Sequence, residues 1–139
     1  MIIGTPHQPW ELLDTTAEDF LLQMLKYGKP IETSLVGSFD QSGRGSRRDI
    51  PLPFHRDGDY SKEKASKNSI DVVGLFCIRG GEANTLIKYN DKITSYNLKK
   101  GQGIIFDNKE VLHAREGEVG DRILLRVWVE RQEKANLDS

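Results

Sequence analysis

Disulfide bonds, long apolar runs and a strong charge of either sign are all missing from this sequence. Cys77 is the only cysteine, so no intrachain disulfide can form, which fits a reducing, cytoplasmic compartment. No apolar run approaches the roughly 20 residues that a membrane helix needs, and the first residues lack the features of a signal peptide. A formal net charge of -1 gives no case for nucleic acid or a membrane surface as partner.

The length of the chain and one helical pattern set the coarse organisation. The 139 residues are enough for one domain with a hydrophobic core, and we predict a single domain over residues 1–139. A helix is predicted at about 16–27, because a threonine pair can cap its start, apolar residues recur at helical spacing and Gly28 follows its end. Residues 1–14 are predicted as loop or short edge structure.

Short strands separated by turn residues make up the rest of the predicted structure. They are placed at 31–39, around His55, and at 70–78, 85–89, 92–98, 102–106, 111–114 and 122–129. The strand at 70–78 is almost continuously apolar, which predicts burial on both faces. Eight strands after one helix predict a mainly β fold, and a jelly-roll barrel would bring distant strands to one open end. The polar loops at 41–49 and 59–69 are predicted to be solvated connections. The first loop is basic and could alternatively form a lid over the site or contact a phosphate or carboxylate through Arg44, Arg47 or Arg48.

The clearest chemical signal is the pair His55 and Asp57. In an extended backbone, side chains two residues apart point to the same face, so both can reach one metal ion. A third ligand must come from elsewhere, and His113 is the obvious candidate because His7 lies in a proline-rich N-terminal segment. Two histidines and one carboxylate form the metal site of non-haem Fe(II) oxygenases. The alternative for His55 and Asp57 is a local hydrogen bond in a turn.

Two arginines on the last predicted strand need partners. Arg122 and Arg126 share one face of that strand with Leu124 and Trp128, and both faces are apolar enough to predict a central strand. An unpaired buried charge is very costly, so each guanidinium should meet a carboxylate. That carboxylate either belongs to a bound acid or is internal, for example from Asp59, Asp107 or Asp121.

Four segments within residues 52–130 carry a family resemblance. They are Leu52-Pro53-Phe54-His55-Arg56-Asp57-Gly58-Asp59-Tyr60, Gly80-Gly81-Glu82 leading to Thr85, Asp107-Asn108 leading to Leu112-His113-Ala114-Arg115, and Gly120-Asp121-Arg122 leading to Arg126-Val127-Trp128-Val129. In this order they resemble the Fe(II)/2-oxoglutarate-dependent oxygenases, most of all the branch that contains taurine dioxygenase and clavaminate synthase. The chain is unusually short for that family and has two extra residues, Ala83 and Asn84, before Thr85.

The resemblance implies a cupin-like double-stranded β-helix that uses Fe(II), 2-oxoglutarate as cosubstrate and O2. It implies that His55, Asp57 and His113 bind the iron. By the same analogy, Arg122 and Thr85 hold the distal carboxylate of 2-oxoglutarate, and Arg126 meets an anionic group of the substrate. Hydroxylation of a small acidic or amino-acid-like molecule is therefore the predicted activity. Because Asp57 is present, hydroxylation or another oxidation is favoured over halogenation.

Two other functions are compatible with the same residues. A cupin-type metal barrel, such as an isomerase or a dioxygenase without a keto acid, would use the three metal ligands but leave Arg122 without a role. A non-catalytic binding module on the same fold would be recognised by a lost iron ligand, and none is missing. The short chain is compatible with an open site for a larger substrate and with a site closed by a second subunit in a homodimer.

Overall fold

The structure is a computed structural model that describes residues 2–37, 52–58 and 69–131. The loop predicted at 41–49 and nearly all of the segment at 59–69 lie outside the described residues. Within the described residues the chain forms nine strands and one helix. In order they are β1 (Trp10–Asp14), α1 (Ala17–Leu25), β2 (Gly28–Val36), β3 (Leu52–His55), β4 (Val72–Arg79), β5 (Asn84–Tyr89), β6 (Lys92–Tyr96), β7 (Gln102–Asp107), β8 (Leu112–Glu116) and β9 (Ile123–Arg131).

The strands form two antiparallel sheets, which confirms the prediction of a mainly β fold with one helix. One sheet has the order β1-β7-β4-β9-β2 and the other has the order β3-β8-β5-β6. The chain crosses from one sheet to the other after β2, β3, β4, β6, β7 and β8, so strands distant in sequence become neighbours. The strand β1, which precedes the helix, extends the edge of the larger sheet by pairing with β7. Closure of the two sheets into a cupin-like barrel stays a prediction.

Helix α1 covers the outer face of the five-stranded sheet. Thr16 caps it, since its hydroxyl accepts a hydrogen bond from the backbone N–H of Asp19 at 3.2 Å. Phe20 and Met24 are fully buried on the sheet-facing side of the helix. Both side chains can pack closely on the sheet because Gly74 of β4, which lies beneath them, has no side chain. A Cβ atom added to Gly74 would lie 2.5 Å from the Met24 sulfur. The helix has nine residues and is too short and too polar to span a bilayer.

The main hydrophobic core lies between the two sheets. Residues such as Val73, Leu75 and Ile104 of the larger sheet pack with Ile87 of the smaller one. Strand β4 is buried from Val72 to Cys77, as its continuous apolar sequence predicts. On β9, alternate residues face the helix side, where Val127 and Val129 join the second core cluster. The other face of β9 points between the sheets and carries Arg126 and Trp128, and Arg122 immediately precedes the strand.

Candidate active site

The predicted metal ligands converge where β3 and β8 pair. His55 lies directly opposite His113 in the register of the two strands, and Asp57 follows in the turn after β3. The Oδ1 atom of Asp57 lies 3.3 Å from His55 Nε2 and 3.1 Å from His113 Nε2. All three potential ligand atoms lie within 4.8 Å of one another. The antiparallel pairing therefore brings together residues that stand far apart in the sequence.

Two of the three distances among these atoms suit neighbouring ligands of an octahedral metal ion. Ligands on adjacent corners, each about 2.1 Å from the ion, are separated by about 3.0 Å. The two Asp57–histidine distances are close to that value. Two imidazoles and one carboxylate are also the donor set that non-haem Fe(II) uses, with its remaining positions open. The residues present therefore fit Fe(II) or a similar divalent transition metal.

The orientation of His55 is fixed by its own strand. Its Nδ1 lies 2.7 Å from the carbonyl oxygen of Pro53, to which the Nδ1–H donates, and this leaves Nε2 as the basic nitrogen on the side of Asp57. Metal-binding histidines commonly donate their second ring N–H to a carbonyl in this way. The His113 ring is packed between the rings of His55 and Phe106, with centroid distances of 4.2 and 4.8 Å. Both imidazoles are thus held in place before any ion binds.

Asp57 is buried, and each of its carboxylate oxygens lies close to polar side chains. While Oδ1 faces the histidines, Oδ2 accepts a hydrogen bond of 2.7 Å from the indole N–H of Trp128 on β9. Burial by itself would raise the pKa of Asp57, but the charge and hydrogen bond of His113, with smaller effects from His55 and Arg126, hold that pKa well below its ordinary value. The carboxylate is therefore ionised and available as a ligand at neutral pH.

Arg122 and Thr85 meet at another part of the same space. Arg122 immediately precedes β9 and is buried, and its Nη1 donates a hydrogen bond of 3.3 Å to the Thr85 hydroxyl on β5. Among the described residues no carboxylate lies within ion-pair distance of Arg122. Burial, with a smaller effect from the nearby charge of Arg115, lowers the pKa of Arg122 to about 10, so it stays protonated at neutral pH. A buried cation in this setting is suited to bind an anion.

Arg126 has an internal partner as well as a place in the cavity. Its Nη2 lies 3.5 Å from the Glu32 carboxylate on β2. Its guanidinium also lies over the ring of Trp128, 4.5 Å from the ring centroid. Glu32 is therefore an acidic partner of Arg126. It was not among the carboxylates suggested by the sequence, because it belongs to a strand much earlier in the chain.

One cavity connects all of these groups. It contains about 400 Å³ free of protein atoms, part of it open to solvent. Apolar side chains of both sheets complete its walls. The polar and charged residues that line it are His55, Asp57, Thr85, His113, Arg115, Arg122 and Arg126. All six residues singled out from the sequence therefore lie on one cavity.

Three further residues belong to this site and were not assigned a role from the sequence. Asn108 is buried, and its side chain bonds to both the backbone N–H and the backbone carbonyl of Asp57. Trp128 donates to the Asp57 carboxylate, and Arg115 lines the cavity. One usable signal was present for Trp128, since it shares its strand face with Arg122 and Arg126. Arg115 similarly stands two residues after His113, which places both on the same face of β8.

Comparison with known proteins identifies the fold. No protein-family model matches the chain, and no curated protein matches it in sequence. Among solved structures it is similar to a prolyl hydroxylase from Trichoplax adhaerens, in complex with a peptide fragment of the hypoxia inducible factor oxygen degradation domain. The match covers 95% of this chain and 88% of that chain, with a TM-score of 0.56 and 8% sequence identity. At this identity the likeness shows a shared fold.

Proposed function

We propose that this protein is a non-haem Fe(II)- and 2-oxoglutarate-dependent oxygenase that hydroxylates its substrate. The observation that carries the proposal is the presence, on one cavity, of a possible metal triad and a buried arginine that meets no described carboxylate. His55, Asp57 and His113 would hold the iron, and Arg122 with Thr85 would hold the distal carboxylate of the keto acid. The assignment to the taurine dioxygenase and clavaminate synthase branch rests on the four sequence segments alone.

The residues of the chain have separable tasks in this reaction. When bound, Fe(II) with 2-oxoglutarate and O2 supplies the oxidation of an unreactive C–H bond. Arg122 binds and orients the cosubstrate by its far end, where burial strengthens the attraction between opposite charges. The apolar walls of the cavity exclude water from the reacting groups. Arg126, stacked on Trp128, is placed to orient an anionic group of the substrate.

The arginine distinguishes this reaction from that of other metal barrels. A cupin-type isomerase, or a dioxygenase that uses no keto acid, would need the triad but not a buried cation facing the same cavity. Keeping a guanidinium buried without a carboxylate is costly unless a ligand supplies the opposite charge. The position of Arg122 beside Thr85 therefore favours the keto-acid-dependent reaction.

We propose a substrate with an acidic or amino-acid-like group that faces Arg126. The structural neighbour carries a peptide fragment, so the group is sought both in free amino acids and within peptides. The test is the stimulation of succinate release by a panel of free acidic amino acids and of short peptides with and without acidic side chains. This substrate class would be ruled out if acidic compounds still stimulate succinate release by Arg126→Gln. It would also be ruled out if only peptides that lack acidic groups stimulate succinate release.

Binding of 2-oxoglutarate is the direct test of the proposed function. The full chain, loaded with Fe(II) without oxygen, is titrated with 2-oxoglutarate, and succinate is then measured after admission of air. We expect binding and slow succinate release by the wild type. Arg122→Ala should raise the dissociation constant of 2-oxoglutarate about thirtyfold or more, since it removes one partner of a buried charge pair.

Two control variants make the result specific. Arg79→Ala removes an exposed arginine from the end of β4 and should leave 2-oxoglutarate binding unchanged. His113→Ala should abolish succinate release by removing a ligand from the triad. If Arg122→Ala binds 2-oxoglutarate as tightly as Arg79→Ala does, the proposed cosubstrate is wrong, and a keto-acid-independent metal barrel becomes the better assignment.

A further inference from the structure

Trp128 contacts two functional groups of the cavity through two different parts of its side chain. The indole N–H donates to Asp57 Oδ2 at 2.7 Å, and the face of the ring lies against the guanidinium of Arg126. Trp128 is 2% exposed, and the Asp57 side chain is 1% exposed. The hydrogen bond therefore forms in a buried environment, where a bond to a charged acceptor is strong.

The two oxygens of Asp57 consequently have different surroundings. Oδ1 faces both histidine Nε2 atoms, whereas Oδ2 points to the opposite β-sheet and is occupied by the indole. A free carboxylate can offer a metal either one oxygen or two. The hydrogen bond from Trp128 opposes rotation of the carboxylate and keeps Oδ2 away from the ligand side, so that more of the metal's positions remain open.

The strand that carries Trp128 makes this contact stable. Strand β9 lies between β4 and β2, so its backbone is hydrogen-bonded on both sides. Asp57, by contrast, lies in a turn after the short strand β3. The two residues are 71 positions apart, and the bond ties the ligand-bearing turn to the larger sheet. A rigid element thus supports a ligand that its own loop would hold less firmly.

We propose that Trp128 is a positioning residue of the metal centre, which holds Asp57 as a one-oxygen ligand through its indole N–H and aligns Arg126 through its ring face. This inference rests on the proposed function, because it assigns Trp128 a role toward the metal that the triad would bind. Outer hydrogen bonds to metal ligands typically change metal affinity by about tenfold to hundredfold. An effect of that size is expected from loss of the N–H alone.

The chain provides a matched control in its other tryptophan. The indole N–H of Trp10 also donates to a side-chain oxygen, the Tyr96 hydroxyl, at 2.9 Å, and Trp10 belongs to the same core cluster. Trp10→Phe and Trp128→Phe therefore each remove one indole hydrogen bond and keep an aromatic ring. Only Trp128→Phe removes a bond to a proposed metal ligand.

Metal binding by these two variants is the principal test. Co(II) is titrated into each full-length protein without oxygen, and its visible absorption reports both affinity and ligand geometry. We expect Trp128→Phe to bind Co(II) about tenfold to hundredfold more weakly than the wild type, with an altered spectrum. Trp10→Phe should bind Co(II) with an affinity within about twofold of the wild type. The comparison is valid when the two variants show similar shifts in melting temperature. Equal affinity and identical spectra in the two variants would refute the role of Trp128.

A measurement on the wild type keeps the test decisive if Trp128→Phe does not fold. The two indole N–H groups are followed by NMR while the full chain is titrated with Zn(II), which is diamagnetic. The Trp128 signal should shift as Zn(II) binds, and the Trp10 signal should not. If Zn(II) binds and the Trp128 signal is unchanged, the inference is wrong while the proposed function stands. If wild type binds neither Zn(II) nor Co(II), both are wrong.

Discussion

Asn108 and Asp57 are joined by a reciprocal pair of hydrogen bonds. The amide oxygen of Asn108 accepts from the backbone N–H of Asp57 at 3.1 Å, and the amide nitrogen donates to the backbone carbonyl of Asp57 at the same distance. A third bond of 2.8 Å runs from the Asn108 amide nitrogen to the carbonyl of Ile70. Asn108 thus fixes the turn that presents the Asp57 carboxylate, although it is not itself one of the proposed metal ligands.

Replacing Asn108 should therefore affect both stability and metal binding. Asn108→Ala leaves buried backbone groups without partners, which should lower the free energy of unfolding by about 1–3 kcal/mol. It should also weaken Co(II) binding about tenfold, because Asp57 is no longer fixed. Chemical denaturation and Co(II) titration measure the two effects.

Asn97 provides the comparison for that experiment. Its side chain donates to the carbonyls of Gly81 and Ala83, at 3.0 and 3.3 Å, and so holds the turn that leads to Thr85. Asn97→Ala should lower stability similarly but leave Co(II) affinity unchanged. A loss of Co(II) affinity as large in Asn97→Ala as in Asn108→Ala would show that the effect comes from general destabilisation.

Thr85→Val should weaken the binding of 2-oxoglutarate without affecting the metal. Valine has nearly the same shape but lacks the hydroxyl that accepts from Arg122, so the arginine loses one of its orienting contacts. We expect about a fivefold to tenfold increase in the dissociation constant, equivalent to about 1 kcal/mol. Thr33→Val, on the exposed side of β2, is the control and should have no effect. Unchanged cosubstrate binding in Thr85→Val would remove Thr85 from the site.

The stability contribution of Asp71 should depend on pH. Burial alone would raise the pKa of Asp71, but hydrogen bonds from the Ser69 hydroxyl and the Arg131 backbone N–H, with the Lys109 ammonium 3.0 Å away, lower it. A lowered pKa in the folded state means that stabilisation is present above the ordinary pKa of about 4 and is lost as the pH falls through the folded-state pKa.

Asp71→Asn tests this dependence. At pH 7 it should reduce the free energy of unfolding by about 1–3 kcal/mol, and the difference from wild type should narrow as the pH is lowered below about 4. Denaturation at a series of pH values measures the difference. Asp14→Asn, at an exposed position at the end of β1, should show little change at any pH. A constant difference for Asp71→Asn would mean that the charge of Asp71 is not what stabilises the fold.

Gly74→Ala should disturb the packing of helix α1 on the larger sheet. The added methyl group would lie 2.5 Å from the Met24 sulfur and 2.9 Å from the Phe20 ring, which is closer than real contacts allow. Such overpacking typically costs about 1–3 kcal/mol. Gly80→Ala is the control, since its nearest neighbour would be at an ordinary 3.7 Å.

A second substitution identifies the cause of the Gly74 effect. Met24→Ala removes the side chain that the new methyl group would meet. The double variant Gly74→Ala, Met24→Ala should then be more stable than the sum of the two single effects predicts. Strict additivity would mean that the strain arises from another contact, such as the one with the Phe20 ring.

Local sequence patterns were sufficient to predict most strands and the two-ligand motif. Alternation of side chains on an extended strand is a local property, so the common face of Arg122, Arg126 and Trp128 is predictable from their spacing. The same rule predicted that His55 and Asp57 point together, but Asp57 lies in the turn after β3, so it is this turn that brings the two side chains together. The helix was predicted at about 16–27, whereas it ends at Leu25, because strand β2 already begins at Gly28. Helix ends are less well determined by local sequence than helix existence.

Strand periodicity in the sequence predicts which chemical groups each strand presents, whereas the packing of the two sheets sets which of these groups meet. The bonds from Trp128 and Asn108 to Asp57, and the ion pair of Glu32 with Arg126, join residues from strands and turns far apart in the chain. Such contacts depend on the order and register of strands in two sheets, which are set by pairing and burial across the whole molecule. The bond between Trp128 and Asp57 is therefore not predictable from local sequence, because it joins two residues 71 positions apart.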